Sequence, residues 1–388
     1  MADSEVRRRQ VAMERYARGE TPAAICASVG RSRRWFYKWL KRSQEGGPDW
    51  FQEWSRRPKG NARRTAAALE RQVVDARRQL DDEGLFCGDQ AVAWRLTELG
   101  VSPLPSLRTL GRILVRHGLV QRPRRRFTPK GKKYPSLAAG APGEVHQVDF
   151  VGPCYLKGPL LFYSLHSVDL ASARCAIEPM PGGKAGVIEA LWALWGRLGM
   201  PRYVQVDNEW VFFGSPAHPR GLGNLIRLCL PLGIEQVFIP MKEPWRNGVV
   251  EKFNDHWQQK FLRRTPMLSA QELQEQSLVF EQRHNSRYRY RKLGGQTPLA
   301  SLALSKVTLR FPPAAMPSQR PLPKPEAGRY HVVRFIRSDG LLDVFTEKFA
   351  LPPETHYEYV QATVDVSRQR LSVRLADRLV EEIEYRLR

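Results

Sequence analysis

The sequence lacks the features of secreted, membrane-spanning and disulfide-stabilised proteins. Its five cysteines are scattered singly without a CxxC pair, so we expect reduced thiols in the core or on the surface. No apolar run reaches the roughly 18 residues needed to span a bilayer. The first residues, MADSEVRRRQ, contain no apolar core of a signal peptide. We therefore expect a cytoplasmic protein with no membrane partner.

Acidic residues are scarce relative to basic ones. The 388 residues include 39 Asp and Glu against 62 Lys and Arg, which gives a formal net charge of +23. Nucleic acid is the expected partner, because the charge is spread along a hydrophobic, tryptophan-containing chain rather than held in one tail. The chain also lacks a glycine-rich nucleotide cradle, so no ATP dependence is predicted. The length predicts two to four domains.

Residues 1–60 have the pattern of a helix-turn-helix DNA-binding domain. Thr21 and Ser32 are predicted helix N-caps, and Pro22 suits the first helical position. The last helix, RRWFYKWLKR, pairs aromatic anchors with a basic face, as a recognition helix requires. An ordinary amphipathic helix with a solvated face is the open alternative. The predicted DNA-binding residues of this segment are Arg33, Arg34, Lys38, Lys41 and Arg42.

Residues 61–120 repeat this pattern and predict a second helix-turn-helix domain, so that the two units form a bipartite reader of a DNA end. Ser106 is the predicted cap of its last helix, LRTLGRILVRHG. Residues 121–140 are predicted to be an extended basic linker that tracks phosphates, with an affinity that falls steeply with salt. The predicted DNA-binding residues of these segments are Arg108, Arg112, Arg116, Arg124, Arg125, Arg126, Lys132 and Lys133.

The remaining chain predicts a multidomain α+β protein. In residues 141–265, three strand-like runs precede alternating helices and strands, which indicates an α/β core with a mixed sheet. Residues 266–328 are predicted to be a helical extension followed by a proline-rich linker. Short alternating runs in residues 329–388 have the spacing of a small β-barrel or sandwich, and a small β-barrel that makes a further DNA or subunit contact is predicted.

Three acidic residues stand in conspicuous local contexts within the core. Asp149 lies in the apolar strand pattern EVHQVDF, Asp207 ends the pattern RYVQVDN, and Glu251 lies in the first helical turn after PWRNGVV. An ionised carboxylate on an apolar strand is costly unless it is paired. Mg²⁺ or Mn²⁺ would neutralise such a group, and two ions about 4 Å apart can activate a nucleophile and stabilise the leaving oxygen of a phosphodiester. Asp169, on another strand, is interpreted as a strand-end or turn carboxylate.

The words HQVDF, YVQVDN and NGVVEKFN make residues 141–300 similar to the catalytic core of retroviral-integrase-like (DDE) transposases of bacterial insertion sequences or related mobile elements. The resemblance implies a ribonuclease-H-like fold and a two-ion site of Mg²⁺ or Mn²⁺. Asp149 would contact both ions, while Asp207 and Glu251 would each hold one. It also implies that Asn247 and Gly248 form the turn that aims Glu251, with glycine supplying any backbone freedom the turn needs.

The same resemblance implies an activity and its partners. It predicts an enzyme that binds double-stranded element ends, cleaves a strand and transfers the 3′-hydroxyl end into target DNA. It further implies a homo-oligomer on DNA, a possible helper protein and a nucleoid-associated location in a bacterial cytoplasm. The residues near the site that are predicted to bind DNA are Lys242, Trp245, Arg246 and Lys252, although a solvated role is nearly as plausible for both lysines.

Several features depart from the family pattern. Glu209 follows Asp207-Asn208 where the family usually has glycine, so a fourth carboxylate could approach the metal. The 44 positions from Asp207 to Glu251 exceed the retroviral interval. No His-His-Cys-Cys zinc module is visible before residue 140, so no zinc is predicted. Two alternatives stay open: a non-catalytic DNA-binding regulator or assembly factor, and a ribonuclease-H-like nuclease.

Overall fold

The computed structural model describes residues 2–54, 65–120, 134–156, 160–215, 217–218 and 220–388. The chain divides into two compact units, Met1–Ala66 and Ala67–Arg388, and each is described by itself. Among the described helices, none combines the length and the apolar character needed to cross a bilayer.

The first unit is a three-helix domain. Its helices are α1 (Ala2–Ala17), α2 (Pro22–Val29) and α3 (Arg33–Glu45). The predicted caps are confirmed: Thr21 accepts a hydrogen bond from the amide of Ala24, and Ser32 accepts one from the amide of Trp35. The helices enclose a small core of Ala12, Met13, Ile25, Cys26, Phe36 and Trp39.

The second unit begins with another three-helix cluster, which packs onto the rest of that unit. Its helices are α4 (Ala67–Asp82), α5 (Asp89–Glu98) and α6 (Leu107–Arg116). Tyr288, from much later in the chain, is buried in the core of this cluster. Asp81 accepts a hydrogen bond from Lys260 at 2.6 Å, and Glu83 accepts one from Arg287 at 2.7 Å. Apolar burial and ion pairs together attach the cluster to the body of the unit.

The body of the second unit is built on one mixed sheet of nine strands. The strands and helices of the core are β1 (Val145–Tyr155), β2 (Leu161–Asp169), β3 (Cys175–Pro181), α7 (Val187–Leu198), β4 (Tyr203–Val206), α8 (Trp210–Phe213), α9 (Asn224–Cys229), β5 (Glu235–Phe238), α10 (Gly248–Trp257), α11 (Ala270–Arg287) and α12 (Pro298–Ser305). β1, β2 and β3 pair antiparallel, whereas β4 pairs parallel with β1 and β5 parallel with β4. The predicted α/β core with a mixed sheet is therefore confirmed.

Helices cover both faces of this sheet. Successive side chains of a strand point to opposite faces, and here both faces carry apolar side chains that pack against helices. On one face, Val148 and Leu165 join a core that includes α7 and α9. On the other face, Phe162 joins a core with Phe253 of α10 and Phe280 of α11. β1, β2 and β3 are thus buried from both sides, as in other doubly covered sheets.

The C-terminal strands continue the core sheet, and the predicted separate small β-barrel is not confirmed. They are β6 (Arg329–Phe335), β7 (Leu341–Val344), β8 (Glu347–Ala350), β9 (Tyr359–Asp365), β10 (Arg370–Leu375) and β11 (Arg378–Glu384). β6 pairs parallel with β5, and the strands of the sheet run in the order β11-β10-β9-β6-β5-β4-β1-β2-β3, with β7 and β8 as a separate hairpin. Period-two alternation is the same in a barrel and an open sheet, so the sequence could not specify this partner. Pairing with β6 covers the edge of β5 that would otherwise be open.

Candidate active site

Asp149 lies in the middle of β1, directly opposite His166 of β2. Its Oδ2 accepts a hydrogen bond of 2.8 Å from the side-chain amide of Asn254. The Oδ1 of Asn254 is 2.7 Å from Nδ1 of His166, whose Nε2 is 2.9 Å from the hydroxyl of Ser164. Because the amide donates to Asp149, its oxygen must accept from Nδ1–H of the imidazole. A buried chain of hydrogen bonds therefore orients Asp149.

Asp207 comes directly after β4, which runs parallel to β1. Gln205 of β4 is paired with Gln147 of β1, and each glutamine precedes its aspartate by two residues. Successive odd or even residues of a strand share a face, so this register brings Asp149 and Asp207 to neighbouring positions on the sheet. The Oδ1 of Asp207 accepts a hydrogen bond of 3.1 Å from the amide of Glu209.

Glu251 lies in the first turn of α10, and side chains from the sheet fix the start of this helix. Oε1 of Gln147 accepts hydrogen bonds from the amides of Val249 and Val250 at 3.0 and 3.1 Å. These amides have no partner within the helix, so Gln147 acts as a cap from a neighbouring element. The side chain of Asn247 donates to the carbonyl of Val148 at 3.0 Å. The helix start is thereby attached to the strand that carries Asp149.

Gly248 does not supply the backbone freedom that was expected of it. Its φ is −62° and its ψ is −16°, which are ordinary helical values. Space is not the reason for glycine either, since an added Cβ would meet nothing within 4 Å. Asn247 is the residue of the pair that holds the turn, through its hydrogen bond to the β1 backbone.

The three carboxylates affect one another electrostatically. Burial, together with the negative charges of Asp207 and Glu251, raises the pKa of Asp149 to about 7. Burial together with the charge of Glu209 raises the pKa of Asp207 to about 6. The pKa of Glu251 is raised by burial and by the charge of Asp255. Desolvation with like-charge repulsion is the pattern found where carboxylates share a functional site.

The donor set fits a hard divalent cation. All three groups offer only oxygen, the ligand that Mg²⁺ and Mn²⁺ favour, and a bound cation would stabilise the ionised forms that burial disfavours. Within the described part of the chain, however, no group of three histidine, cysteine or acidic side chains is already arranged to hold a metal ion. The side chains would therefore have to move closer together to share one.

Glu209 and Lys184 border the site. The sequence indicated that Glu209 could approach the metal, but Lys184 was not predicted. Lys184 forms an ion pair with Glu209, and its ammonium lies 4.5 Å from the centre of the Phe150 ring and 5.1 Å from that of Tyr163. The negative charge of Glu209 contributes to the raised pKa of both Asp149 and Asp207. No spacing pattern in the sequence singles out Lys184, because it follows β3 in a short glycine-containing turn.

The side chains near Glu251 that were predicted to bind DNA differ in their environment. Arg246 is engaged within the protein, since it donates to Glu243 and to the hydroxyl of Tyr359 at 3.0 Å each. Lys242 and Trp245 are exposed. Lys252 is also exposed and forms a 3.5 Å ion pair with Asp255. Lysines and tryptophan, rather than Arg246, are thus available on this surface.

The predicted DNA-binding residues of the helical regions are mostly exposed. The exposed ones are Arg33, Arg34, Lys38 and Lys41 of α3, and Arg108, Arg112 and Arg116 of α6. Arg42 instead lies over the rings of Trp39 and Trp54, at 4.7 and 4.1 Å. Arg116 forms an ion pair with Glu70. Arg124, Arg125, Arg126, Lys132 and Lys133 lie outside the described residues.

Asp169 has the hydrogen bonds of a structural carboxylate. Its Oδ1 accepts from the amide and the hydroxyl of Ser172, at 2.6 and 2.8 Å, and its Oδ2 accepts from the amide of Gly143 at 2.5 Å. Burial acts to raise its pKa, but His146 and these donors outweigh burial and lower the pKa to about 2. The geometry supports the interpretation of Asp169 as a turn carboxylate.

Two segments of the chain match known protein families. Residues 3–49 match the homeodomain-like domain, and residues 232–298 match the integrase core domain. The second match contains Glu251 and its turn, whereas Asp149 and Asp207 precede it. The matches confirm the resemblance to DDE transposases and integrases that the sequence words predict, with a helix-turn-helix DNA-binding region at the N-terminus.

Solved structures that match the chain include retroviral integrases. An intasome of simian T-cell lymphotropic virus, in complex with PP2A regulatory subunit B56 gamma, is 16% identical with a TM-score of 0.38, covering 80% of this chain and 97% of that chain. The HTLV-2 integrase catalytic core domain in complex with magnesium, in its dimeric form, is 18% identical with a TM-score of 0.32. This match covers 42% of this chain and 97% of that chain. The catalytic core domain of BIV integrase is 16% identical with a TM-score of 0.33, and the match covers 42% of this chain and 96% of that chain. No curated protein matches the chain.

Proposed function

We propose that the chain is a DDE-type transposase or integrase that binds element ends and transfers their 3′-hydroxyl groups into target DNA. The observation that carries this proposal is the placement of Asp149, Asp207 and Glu251. They come from two adjacent parallel strands and one helix, and two of them raise the pKa of the third. Partly buried acids that repel one another are costly to the fold, so a role that uses their charge is the best account of them.

In this proposal, Asp149, Asp207 and Glu251 hold the divalent ions. Two bound Mg²⁺ or Mn²⁺ ions would supply a polarised oxygen nucleophile and neutralise charge at phosphorus. Asn254 holds the Asp149 carboxylate in one orientation through the 2.8 Å hydrogen bond. Gln147 fixes the helix start that carries Glu251. The apolar core beside β1 and β4 holds the strands that carry and precede the two aspartates.

The chemistry consists of two displacements at phosphorus. In the first, the oxygen of water bonds to a backbone phosphorus at the element end, and the bond from phosphorus to the 3′-oxygen breaks, so that this oxygen leaves as a hydroxyl. In the second, the freed 3′-hydroxyl oxygen bonds to a target phosphorus and releases its proton. The target 3′-oxygen then leaves and takes up a proton, so the number of phosphodiester bonds is unchanged.

The helical regions are proposed to bring the DNA to this site. Residues 1–60 and 61–120 would bind the element ends, and residues 121–140 would follow the backbone phosphates. Exposed arginines and lysines on α3 and α6 support this role, because they place positive charge at the surface, where a phosphate backbone can reach it. We further propose a homo-oligomer on paired ends, with room for a helper protein.

The direct test incubates the full chain with Mg²⁺ and oligonucleotides that carry the element end. Strand-transfer products are expected from the wild type. Asp149→Asn, Asp207→Asn and Glu251→Gln should each lose joining while end binding is largely kept. Asp377→Asn, in an exposed turn between β10 and β11, is the matched control and should join at the wild-type rate. Joining by the three site variants at wild-type rates would show that the site is assigned to the wrong residues.

Two other functions give different results in this assay. A non-catalytic regulator would bind the ends and form no product with either metal. A ribonuclease-H-like nuclease would leave only hydrolysed strands and no joined ones. The homeodomain-like match of residues 3–49 favours the transposase over a general nuclease, because a general nuclease has no need of a dedicated DNA-reading domain.

A further inference from the structure

Arg334 of β6 is a buried arginine whose hydrogen bonds all go to neutral acceptors. Only 5% of the surface of this residue is exposed to solvent. It donates to the carbonyls of Asp343 and Val333 at 2.9 Å, to that of Ile239 at 3.0 Å, and to Oδ1 of Asn208 at 2.8 Å. Burial lowers the pKa of its guanidinium to about 10.

A buried cation without a bonded carboxylate costs folding free energy, so its position calls for an explanation. The acceptor Asn208 directly follows Asp207 in the chain, and Ile239 directly follows β5. The side-chain amide of Asn208 also donates to the Ile239 carbonyl at 2.6 Å. Arg334 therefore closes a three-residue network that fixes the backbone immediately after Asp207.

A second C-terminal residue, Tyr359 of β9, reaches the other side of the site. Its hydroxyl donates to Glu243 at 2.8 Å and accepts from Arg246 at 3.0 Å. The carbonyl of Arg246 in turn accepts hydrogen bonds from Gln205 at 2.8 Å and Gln147 at 3.3 Å. Tyr359 is thus connected to the turn that leads into Glu251 and to both strands that carry the aspartates.

A third contact comes from the hairpin of β7 and β8. Phe345, at its turn, stacks on Phe213 of α8 with ring centres 4.5 Å apart and parallel ring planes. α8 begins three residues after Asp207. Glu347 of the same hairpin pairs with Arg220, farther along this connection. The C-terminal strands thus contact the Asp207 connection at more than one point.

From these contacts we infer that residues 329–385, which we name the C-terminal brace, position the active-site carboxylates. In this inference Arg334 positions Asp207 through Asn208, and Tyr359 positions Glu251 through Glu243 and Arg246. Both are positioning residues, since neither touches the carboxylates themselves. The inference rests on the proposed function for its meaning, but the brace itself can be measured without any activity.

The test uses five variants of the full chain, three in the brace and two controls. Arg334→Met and Tyr359→Phe remove the polar contacts of the brace while keeping most of the side-chain volume. Arg337→Met and Tyr357→Phe are the matched controls, because these residues are exposed and lie close to the ends of the same strands. Arg334→Lys is a third brace variant, which keeps the charge but cannot reproduce the planar set of donors.

The activity arm measures joining against Mg²⁺ and Mn²⁺ concentration. Loss of residues that orient metal ligands commonly costs about 10- to 100-fold in metal affinity or activity. The brace variants should therefore need about tenfold or more Mg²⁺ for half-maximal joining, with partial recovery in Mn²⁺ and unchanged end binding. If these residues only stabilise the fold, the variants should have a lower melting temperature but an unchanged Mg²⁺ concentration for half-maximal joining, and this result would contradict the inference.

The second arm follows hydrogen exchange of the metal-free, DNA-free protein. Faster exchange is expected in residues 207–214 and 239–247 of the brace variants, with residues 161–181 and both controls unchanged. Unchanged exchange in the two loops of folded Arg334→Met and Tyr359→Phe would overturn the inference. Should Arg334→Met fail to fold, Tyr359→Phe and Arg334→Lys decide the matter. Failure of the wild type to join DNA would count against the proposed function only, because exchange requires no catalysis.

Discussion

Asp149 and Asp169 are both largely buried aspartates on the paired strands β1 and β2, yet their surroundings act on them in opposite directions. Asp169 accepts hydrogen bonds from Ser172 and Gly143 and lies 3.4 Å from His146, and its pKa is lowered to about 2. Asp149 accepts a hydrogen bond from Asn254, but burial and neighbouring acids raise its pKa to about 7.

In the proposed function, this difference separates a structural acid from a catalytic one. Donors directed at the Asp169 carboxylate stabilise its ionised form and close the turn after β2. At Asp149 the same burial is combined with the negative charges of Asp207 and Glu251, which disfavour its ionised form and which a bound cation would offset. Burial alone therefore does not distinguish the two aspartates; the sign of the charges around each one does.

The largest expected effect is on catalysis. Asp149→Asn should reduce strand transfer at least about a thousandfold, which corresponds to about 4 kcal/mol of activation free energy. The side chain nearly keeps its size, so binding of the element ends should stay close to that of the wild type. Joining assays with matched DNA-binding measurements decide the result. A variant that retained a tenth of the wild-type rate would place Asp149 outside the chemistry.

Asp169→Asn should have the reverse profile. Replacing the carboxylate leaves donors from Ser172, Gly143 and His146 with a weaker or missing acceptor, at a cost of about 1–3 kcal/mol in the free energy of unfolding. Chemical denaturation measures this cost. Per folded molecule, strand transfer should stay near the wild-type rate. A stable Asp169→Asn protein without activity would contradict the assignment of the two roles.

Metal ions should stabilise the wild type and not the Asp149→Asn variant. A ligand that binds only the folded state at about 100 times its dissociation constant adds about 2.7 kcal/mol. Thermal unfolding with Mn²⁺, and again after chelation, measures this increment. Equal stabilisation of both proteins would mean that Mn²⁺ binds somewhere other than at Asp149.

The smallest expected effect is on the pH dependence of stability without metal. Asp149 has a folded pKa of about 7, above its ordinary value, so between about pH 4 and 7 the unfolded state holds fewer protons and stability falls as pH rises. Asp169 has a folded pKa of about 2, so its stabilisation is present above about pH 4 and is lost as pH falls toward 2. Denaturation of wild type and variants across these two windows measures each slope. The Asp149→Asn protein should show a shallower decline between pH 4 and 7, with the remainder coming from Asp207 and Glu251, whose pKa values are also raised. An identical decline in wild type and variant would contradict the raised pKa of Asp149.

Much of the local structure could be predicted because it depends on neighbouring residues. Thr21, Ser32 and Ser106 cap their helices as their side-chain chemistry predicts. The order of strands and helices in the core followed from hydrophobic periodicity. Asp149, Asp207 and Glu251 stand out because each lies in a distinctive sequence motif. Their catalytic roles are predictions that the experiments above test.

The residues that support the site were harder to identify, although a signal existed for some. Gln147 and Gln205 both precede an aspartate in the repeated word QVD, and the period of two puts glutamine and aspartate on one face of each strand. Asn254 follows Glu251 by three positions on the same helix, where side chains are neighbours. These spacings could have identified all three as positioning residues, although none of them was among the predicted site residues.

Arg334 could not be identified in the same way. Its function depends on the pairing of β6 with β5, which joins segments about 95 positions apart in the chain. The alternating pattern of residues 329–388 specifies strands and not their partners. The expected barrel and the observed extension of the sheet are therefore equally consistent with the sequence, and only the fold places Arg334 beside Asn208.

The most direct test of the account is anomalous diffraction from crystals of the full chain with end DNA, grown in Mn²⁺. The account predicts anomalous peaks in contact with carboxylate oxygens of Asp149, Asp207 and Glu251, and their loss in crystals of Asp149→Asn. Well-ordered carboxylates at saturating Mn²⁺ with no anomalous peak between them would contradict it.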